Sequence, residues 1–200
     1  VRVALVVSRY NRTVTDALER GALKAFADAS DGMGQIASNG SGVEIFEAAG
    51  AFETIALASA AAATGRFHAI VVLGCIVKGE TNHDEILGYS VTRELATISR
   101  ERSLPVGLGV LTVNTPEQAL ARAGLATAPT RREAKGANKP VDERIGNKGA
   151  EAMDAALHTL SELRRLRSVV GTDGHAPASK RSKLRSADKL ARASRPGARP

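Results

Sequence analysis

Aromatic side chains are scarce in this sequence: they make up 3% of 200 residues, and Trp is absent. That argues against a single-stranded nucleic-acid platform of stacked rings. Cys75 is the one cysteine, which excludes an internal disulfide and any multi-cysteine metal cluster. The four histidines are scattered, with no H-x-x-x-H or C-x-x-C spacing, so no metal site is expected. No apolar run approaches the roughly 20 residues a bilayer span requires, and no membrane partner is expected. No basic-then-apolar leader opens the sequence, so no secretory signal is expected and the compartment inferred is the cytoplasm.

What is present is ordinary for a soluble chain: 43% hydrophobic and 24% charged residues. This length suits one domain plus a tail, with about 70% of the unfolded surface buried on folding. The net charge of +7 is unevenly distributed. From Arg164 to Pro200 there are 11 Lys/Arg against 2 Asp/Glu, which leaves 17 basic and 19 acidic residues before that point. Basicity therefore belongs to the tail. Contact with a polyanion is an expectation for the tail alone, and it would weaken steeply with salt.

Strand and helix signals alternate. Val1–Val7, Val43–Phe46, Ala69–Val77 and Val106–Thr112 are apolar runs of strand length. Thr13, with Asp16 three residues on, predicts a capped helix with apolar positions at Val14, Leu18, Ala22, Ala25 and Ala29. Ser30–Gly42 reads as a loop, and Phe52–Thr64 as an alanine-rich helix. Thr81 with Asp84 predicts the next cap, ahead of a stripe at Leu87, Val91, Leu95 and Ile98. Thr115-Pro116-Glu117-Gln118 combines an N-cap, Pro at the first helical position and a capping-box Gln, and that helix stops at Gly124. A last helix is expected from about Lys148, with Met153, Leu157, Leu160 and Leu163 at helical spacing.

The fold expected from this order is α/β, a four-stranded parallel sheet with helices on both faces. The folded domain is placed at residues 1–166, with residues 125–146 as a long inserted loop. Residues 167–200 form a basic tail expected to be disordered. Ligands of such sheets bind beyond the carboxyl ends of the strands.

Two motif matches fail on context. Gly32-Met33-Gly34-Gln35-Ile36-Ala37 fits a dinucleotide G-x-G-x-x-A by letter but follows a helix. Gly74–Thr81 resembles a P-loop, yet its Lys precedes the second Gly. Cys75, inside an apolar strand, reads as a small buried residue.

Gly79-Glu80-Thr81-Asn82-His83-Asp84 is more informative. A strand ends and a helix begins there, so backbone N–H groups and the helix field together favour a phosphate. A histidine at that corner suits proton transfer near neutrality, or it is a solvated first-turn residue.

Six segments in register settle on a family. Val6-Val7-Ser8-Arg9-Tyr10-Asn11, Gly50-Ala51-Phe52-Glu53, Gly79 to His83, Pro105 to Thr112, Glu117 to Gly124 and Asn147-Lys148-Gly149 closely resemble the motif series of the 6,7-dimethyl-8-ribityllumazine synthase family. The match runs from Val1 to about Leu163. The resemblance implies a flavodoxin-like three-layer α/β/α sandwich and a site shared between neighbouring subunits of a pentamer. It implies a transferase of riboflavin biosynthesis that joins 5-amino-6-(D-ribitylamino)uracil to 3,4-dihydroxy-2-butanone 4-phosphate. The products are 6,7-dimethyl-8-ribityllumazine, phosphate and water, and no cofactor is needed.

By the same resemblance, Tyr10 lies against the pyrimidine ring and Asn11 follows it. Ala51, Phe52 and Glu53 hold the ribityl chain. Ile76 and Lys78 border the pyrimidine pocket, and Glu80 and Thr81 offer donors to the phosphate. His83 transfers protons. Arg122 binds the phosphate from the next subunit, Lys148 approaches from that side, and Glu151 orients the arginine. Leu108 stands where the family usually has an aromatic that contacts the pyrimidine from the neighbour. A leucine fills that space but cannot stack. The Leu125–Gly146 connection is longer than the family's link between these helices, and its bulk and charge favour free pentamers, or at most paired rings, over a closed shell of rings. Two other readings compete: a related flavin-pathway enzyme on the same fold, separable by a two-substrate assay, and a non-catalytic scaffold with a polyanion-binding tail.

Overall fold

The computed structural model describes residues 1–32, 42–125 and 146–172. The described elements are β1 (Arg2–Ser8), α1 (Arg12–Gly32), β2 (Gly42–Ala48), α2 (Thr54–Ala63), β3 (Ala69–Val77), α3 (His83–Arg102), β4 (Val106–Val113), α4 (Pro116–Arg122) and α5 (Lys148–Thr172). The four strands pair in parallel in the order β2-β1-β3-β4. Leu5 of β1 sits in register with Ile45 on one side and Val71 on the other.

Alternation along the strands divides the core. Val3, Leu5 and Val7 of β1 and Val71, Leu73 and Cys75 of β3 face one layer, packing with Leu18 and Ala22 of α1, Ala119 of α4 and Met153 of α5. Ala4 and Val6 of β1 and Ile70, Val72 and Ile76 of β3 face the other, against Ala58 of α2 and Val91 and Leu95 of α3. Strands covered on both faces must be apolar throughout. This is why β3, and β1 beyond the exposed Arg2, were legible as apolar runs, and β3 has the bounds expected of it.

Several boundaries differ from expectation. β2 extends through Glu47 to Ala48 because an edge strand tolerates charge that is paired: Glu44 accepts from Arg66, and Glu47 from Arg9. Thr13 does not cap α1. The helix starts at Arg12, and the Asn11 carbonyl accepts from the Val14 and Thr15 N–H groups. At its far end, the Ser30 hydroxyl donates to the Phe26 carbonyl within the helix, which continues to Gly32. α2 begins at Thr54, not Phe52, and the Thr54 hydroxyl donates to the Ala51 carbonyl. The Thr115 cap is as expected: its hydroxyl accepts from the Gln118 N–H, with Pro116 opening α4. α5 continues to Thr172, past residue 166, where the folded domain was expected to end. Residues Val1–Glu162 form one compact unit; the second begins at Leu163, and its described part is the C-terminal stretch of α5. The G-x-G-x-x-A letters after Gly32, most of the Leu125–Gly146 connection and the tail beyond Thr172 lie outside the described residues.

Small residues bring α5 down onto its neighbours. A Cβ added at Gly149 would overlap the Leu18 carbonyl of α1, and one at Gly107 would overlap the Ala152 carbonyl of α5. These obstacles are backbone, so they cannot swing aside. Gly149→Ala is expected to cost about 3 kcal/mol, the upper end for overpacking, seen as a Tm lower by roughly 6–12 °C. An unchanged Tm would show that α5 does not seat on α1 this closely.

Candidate active site

β1 lies between β2 and β3, with α1 packed on one face and α2 on the other. The connections from β1 and β3 therefore diverge at the carboxyl edge and leave a crevice at the switch point. A cavity of about 1110 Å³ occupies it.

The turn after β1 supplies the first wall. Asn11 has φ 59°, left-handed backbone that Asn adopts more readily than most residues. Its carboxamide Nδ2 donates to the Cys75 carbonyl at 3.0 Å, tying this turn to the end of β3. The Ser8 hydroxyl accepts from the Tyr10 N–H at 3.3 Å. The Tyr10 ring is left 69% exposed at the rim. Behind it, the Arg9 guanidinium donates to Asp16 at 3.0 Å, Glu19 at 2.9 Å and Glu47 at 2.6 Å. The hydrogen bond to Glu47 is the main reason Arg9 is held even more firmly protonated than usual. In return it holds the Glu47 carboxyl below the usual carboxylate range.

The second wall is the turn into α2, where Ala51 is buried and Phe52 and Glu53 are exposed. Glu53 occupies the N-cap position, but its side chain makes no capping bond; the carboxylate folds back over Gly50. The third wall is the β3–α3 connection. α3 begins at His83, so Asn82 holds the cap position, and its side chain makes no capping bond either. The expected Thr81–Asp84 capping box is replaced by two separate contacts. The Thr81 hydroxyl accepts from the His83 N–H at 3.4 Å, and the buried Asp84 carboxylate accepts from the Gly79 N–H at 3.5 Å. The loop is thereby folded on itself, while the helix N-terminus stays open toward the cavity for an anion.

Tyr10, Asn11, Ala51, Phe52, Glu53, Ile76, Thr81 and His83 all line this one cavity. Lys78 and Glu80 are exposed on the same connection but do not line it. Leu108, 47% exposed on β4, Arg122 at the end of α4 and Lys148 at the start of α5 stand outside it as well. Glu151, expected to orient the arginine, accepts from Lys148 within α5. Sequence reasoning missed the Arg9 hub and the Asp84 contact. Asp16 and Glu19, three apart on one helix, were a partial signal for the first; nothing along the chain pointed to Glu47. Cys75 borders the cavity but is 2% exposed, and burial pushes its thiol pKa up, so it is poorly suited to act as a nucleophile.

Residues 1–164 match the family of 6,7-dimethyl-8-ribityllumazine synthase. The chain belongs to that family. It is 37% identical over 169 residues to 6,7-dimethyl-8-ribityllumazine synthase 1 of Caulobacter vibrioides, spanning 83% of this chain and 92% of that protein. It is 40% identical over 164 residues to 6,7-dimethyl-8-ribityllumazine synthase of Corynebacterium kroppenstedtii, spanning 82% and 86%. The corresponding synthase of Anaeromyxobacter dehalogenans is 35% identical over 164 residues. Lumazine synthases are transferases of riboflavin biosynthesis, and the parallel four-stranded sheet described above is consistent with their flavodoxin-like fold. No helix among the described residues is long and apolar enough to cross a membrane.

The Arg9 hub predicts an acid-dependent step in stability. The folded-state pKa of Glu47 lies below its unfolded value of about 4.3. Its contribution is therefore present above the unfolded value and is lost as pH falls through the folded one. Glu47→Gln is expected to be less stable than the parent at pH 7 and to converge with it in acid or high salt, measured by urea midpoints across pH 7 to 3. A pH-independent gap would show that the pair contributes nothing through charge.

Proposed function

We propose that the cavity at the carboxyl ends of β1 and β3 joins 5-amino-6-(D-ribitylamino)uracil to 3,4-dihydroxy-2-butanone 4-phosphate. The observation that carries this is the convergence of His83 and Thr81, at an open helix N-terminus, with Tyr10, Phe52 and Glu53 on one cavity. The α3 N-terminus takes the phosphate, with Thr81 and the Glu80 backbone beside it. Tyr10 covers the pyrimidine, which Ile76 and Lys78 border, and Ala51, Phe52 and Glu53 receive the ribityl chain. The 5-amino group adds to the ketone carbonyl, and loss of water gives an imine. Enolisation then expels phosphate, and the ribitylamino nitrogen closes the ring with loss of a second water. His83 moves the protons these steps require. The protein's remaining contribution is to hold two substrates together and to stabilise an anionic leaving group.

Arg122, Lys148 and Leu108 act on a neighbouring subunit's cavity in this reading. All three stand outside their own cavity, with Arg122 and Leu108 exposed and Lys148 half-exposed beside Glu151, which supports it. So do the exposed Tyr10, Phe52, Ile86 and Tyr89, an unusual amount of apolar surface for a lone subunit. His83→Ala is expected to lower kcat by about 10²-fold with the circular dichroism unchanged. In parallel, Arg122→Ala should raise KM for the phosphorylated ketone much more than KM for the pyrimidine, with only partial rescue by Arg122→Lys. Parent-like rates in the first variant, or equal KM effects in the second, would remove that residue from its role.

The assembly proposed is a ring of five that does not close into a shell, because a connection as long and as rich in Arg, Lys and Pro as 125–146 disfavours close ring–ring packing. Light scattering of the full chain should return a five-subunit mass. Hollow spherical particles would overturn the steric argument, and active monomers would overturn the shared site.

A further inference from the structure

Asn147 has no part in the chemistry above, yet it is 1% exposed and its carboxamide is fully engaged. Its Nδ2 donates to the Ala17 carbonyl at 2.8 Å and to the Ala123 carbonyl at 3.0 Å. Its Oδ1 accepts from the Gly149 N–H at 2.8 Å and the Ala150 N–H at 3.2 Å. A buried amide with every donor met is costly to replace, because each partner left behind loses its hydrogen bond inside the protein. The backbone takes part too: Asn147 bridges Ala123 in antiparallel fashion, and its carbonyl accepts from the Glu151 N–H.

One side chain therefore joins α1, the end of α4 and the start of α5. Two of these anchor points adjoin the residues assigned to the neighbour's cavity: Ala123 follows Arg122, and Asn147 precedes Lys148. Ala123 and Asn147 are 24 residues apart along the chain, a connection too long to set their spacing by itself. α1 is shaped to admit the cross-link, since Gly21 lies against the carboxamide and a Cβ there would overlap it.

We infer that Asn147 is a positioning residue that locks Arg122 and Lys148 into one unit, which the subunit presents to its neighbour's active site. This rests on the shared-site reading above. Asn147 itself touches no substrate.

Two variants disturb the lock from opposite sides. Asn147→Asp keeps an oxygen for the α5 N–H groups and loses both donations. Gly21→Ala keeps Asn147 and displaces it. Each is expected to raise KM for the phosphorylated ketone about tenfold while leaving KM for the pyrimidine within about twofold. Equal changes in both KM values would reduce Asn147 to a packing residue and overturn the inference.

Mixed oligomers separate the two readings. Co-expressed with His83→Ala, an Asn147→Asp subunit still supplies its own His83, and its partner supplies an intact Arg122–Lys148 unit. Assayed with the phosphorylated ketone well below KM, random mixing should give about one quarter of the parental rate, above either variant alone. Arg122→Ala mixed with His83→Ala is the control. If the control recovers and the Asn147→Asp mixture does not, the positioning role is wrong and the shared site stands. If the control fails, the shared site falls and the inference falls with it. Should Asn147→Asp not fold, Gly21→Ala takes its place in the mixture, with the same outcomes deciding.

Discussion

All four strands run the same way, so their carboxyl ends meet at one edge, and the rest of the structure depends on how that edge is closed. A strand that stops leaves main-chain groups without a ladder partner, and those groups need others. The Arg9 N–H donates to the Ala48 carbonyl, linking β1 to the end of β2. The Asn11 side chain reaches the Cys75 carbonyl on β3. The Lys78 N–H donates to the Val113 carbonyl on β4, and the Asn114 N–H donates to the Gln118 side chain on α4. Each closure turns the chain away from the sheet, and the cavity is the space those turns leave between β1 and β3.

This edge also explains why site residues alternate with structural ones. Arg9, Tyr10 and Asn11 are consecutive but differ in role. Arg9 is held by three acids on α1 and β2, and Asn11 is held by β3, so Tyr10 between them is carried outward to the rim. The corner at Gly79 to Asp84 is arranged likewise. Asp84 is buried and returns to the Gly79 N–H, which leaves Thr81 and His83 on the outer side of the bend.

Legibility from sequence followed the same physics. β3 was readable over its full length because both faces are covered and every residue but one is wholly buried. β2 was cut short because an edge strand carries Glu47, whose partner is distant in the chain. The Thr115 cap was correctly read because Pro116 and Gln118 leave the helix one place to start. Thr13 and Thr81 were misread as caps. At Thr13 a main-chain carbonyl opens the helix, and at Thr81 the helix starts two residues later. The cavity residues were legible because they cluster at strand ends, where position alone implies proximity. Arg9 and Asp84 were not, since their roles depend on which acids and amides the fold brings to them.

Asn147 meets comparable demands where α1, the end of α4 and the start of α5 come together. Its motif stood in the sequence as three letters, and the structure gives each a separate physical demand. The carboxamide must meet carbonyls on two other segments, so Asn cannot become Ala without stranding Ala17 and Ala123. Lys148 is the first residue of α5 and is held at the surface beside Glu151. Gly149 must lack a side chain because the Leu18 carbonyl occupies the space a Cβ would need. Gly21 is required for the complementary reason, since the carboxamide itself fills the space next to it. Gly21 of α1 and Gly149 of α5 thus constrain one another around the single buried amide of Asn147. The placement of Arg122 and Lys148 is therefore a property of how α1, α4 and α5 pack, and not of the long connection that joins α4 to α5.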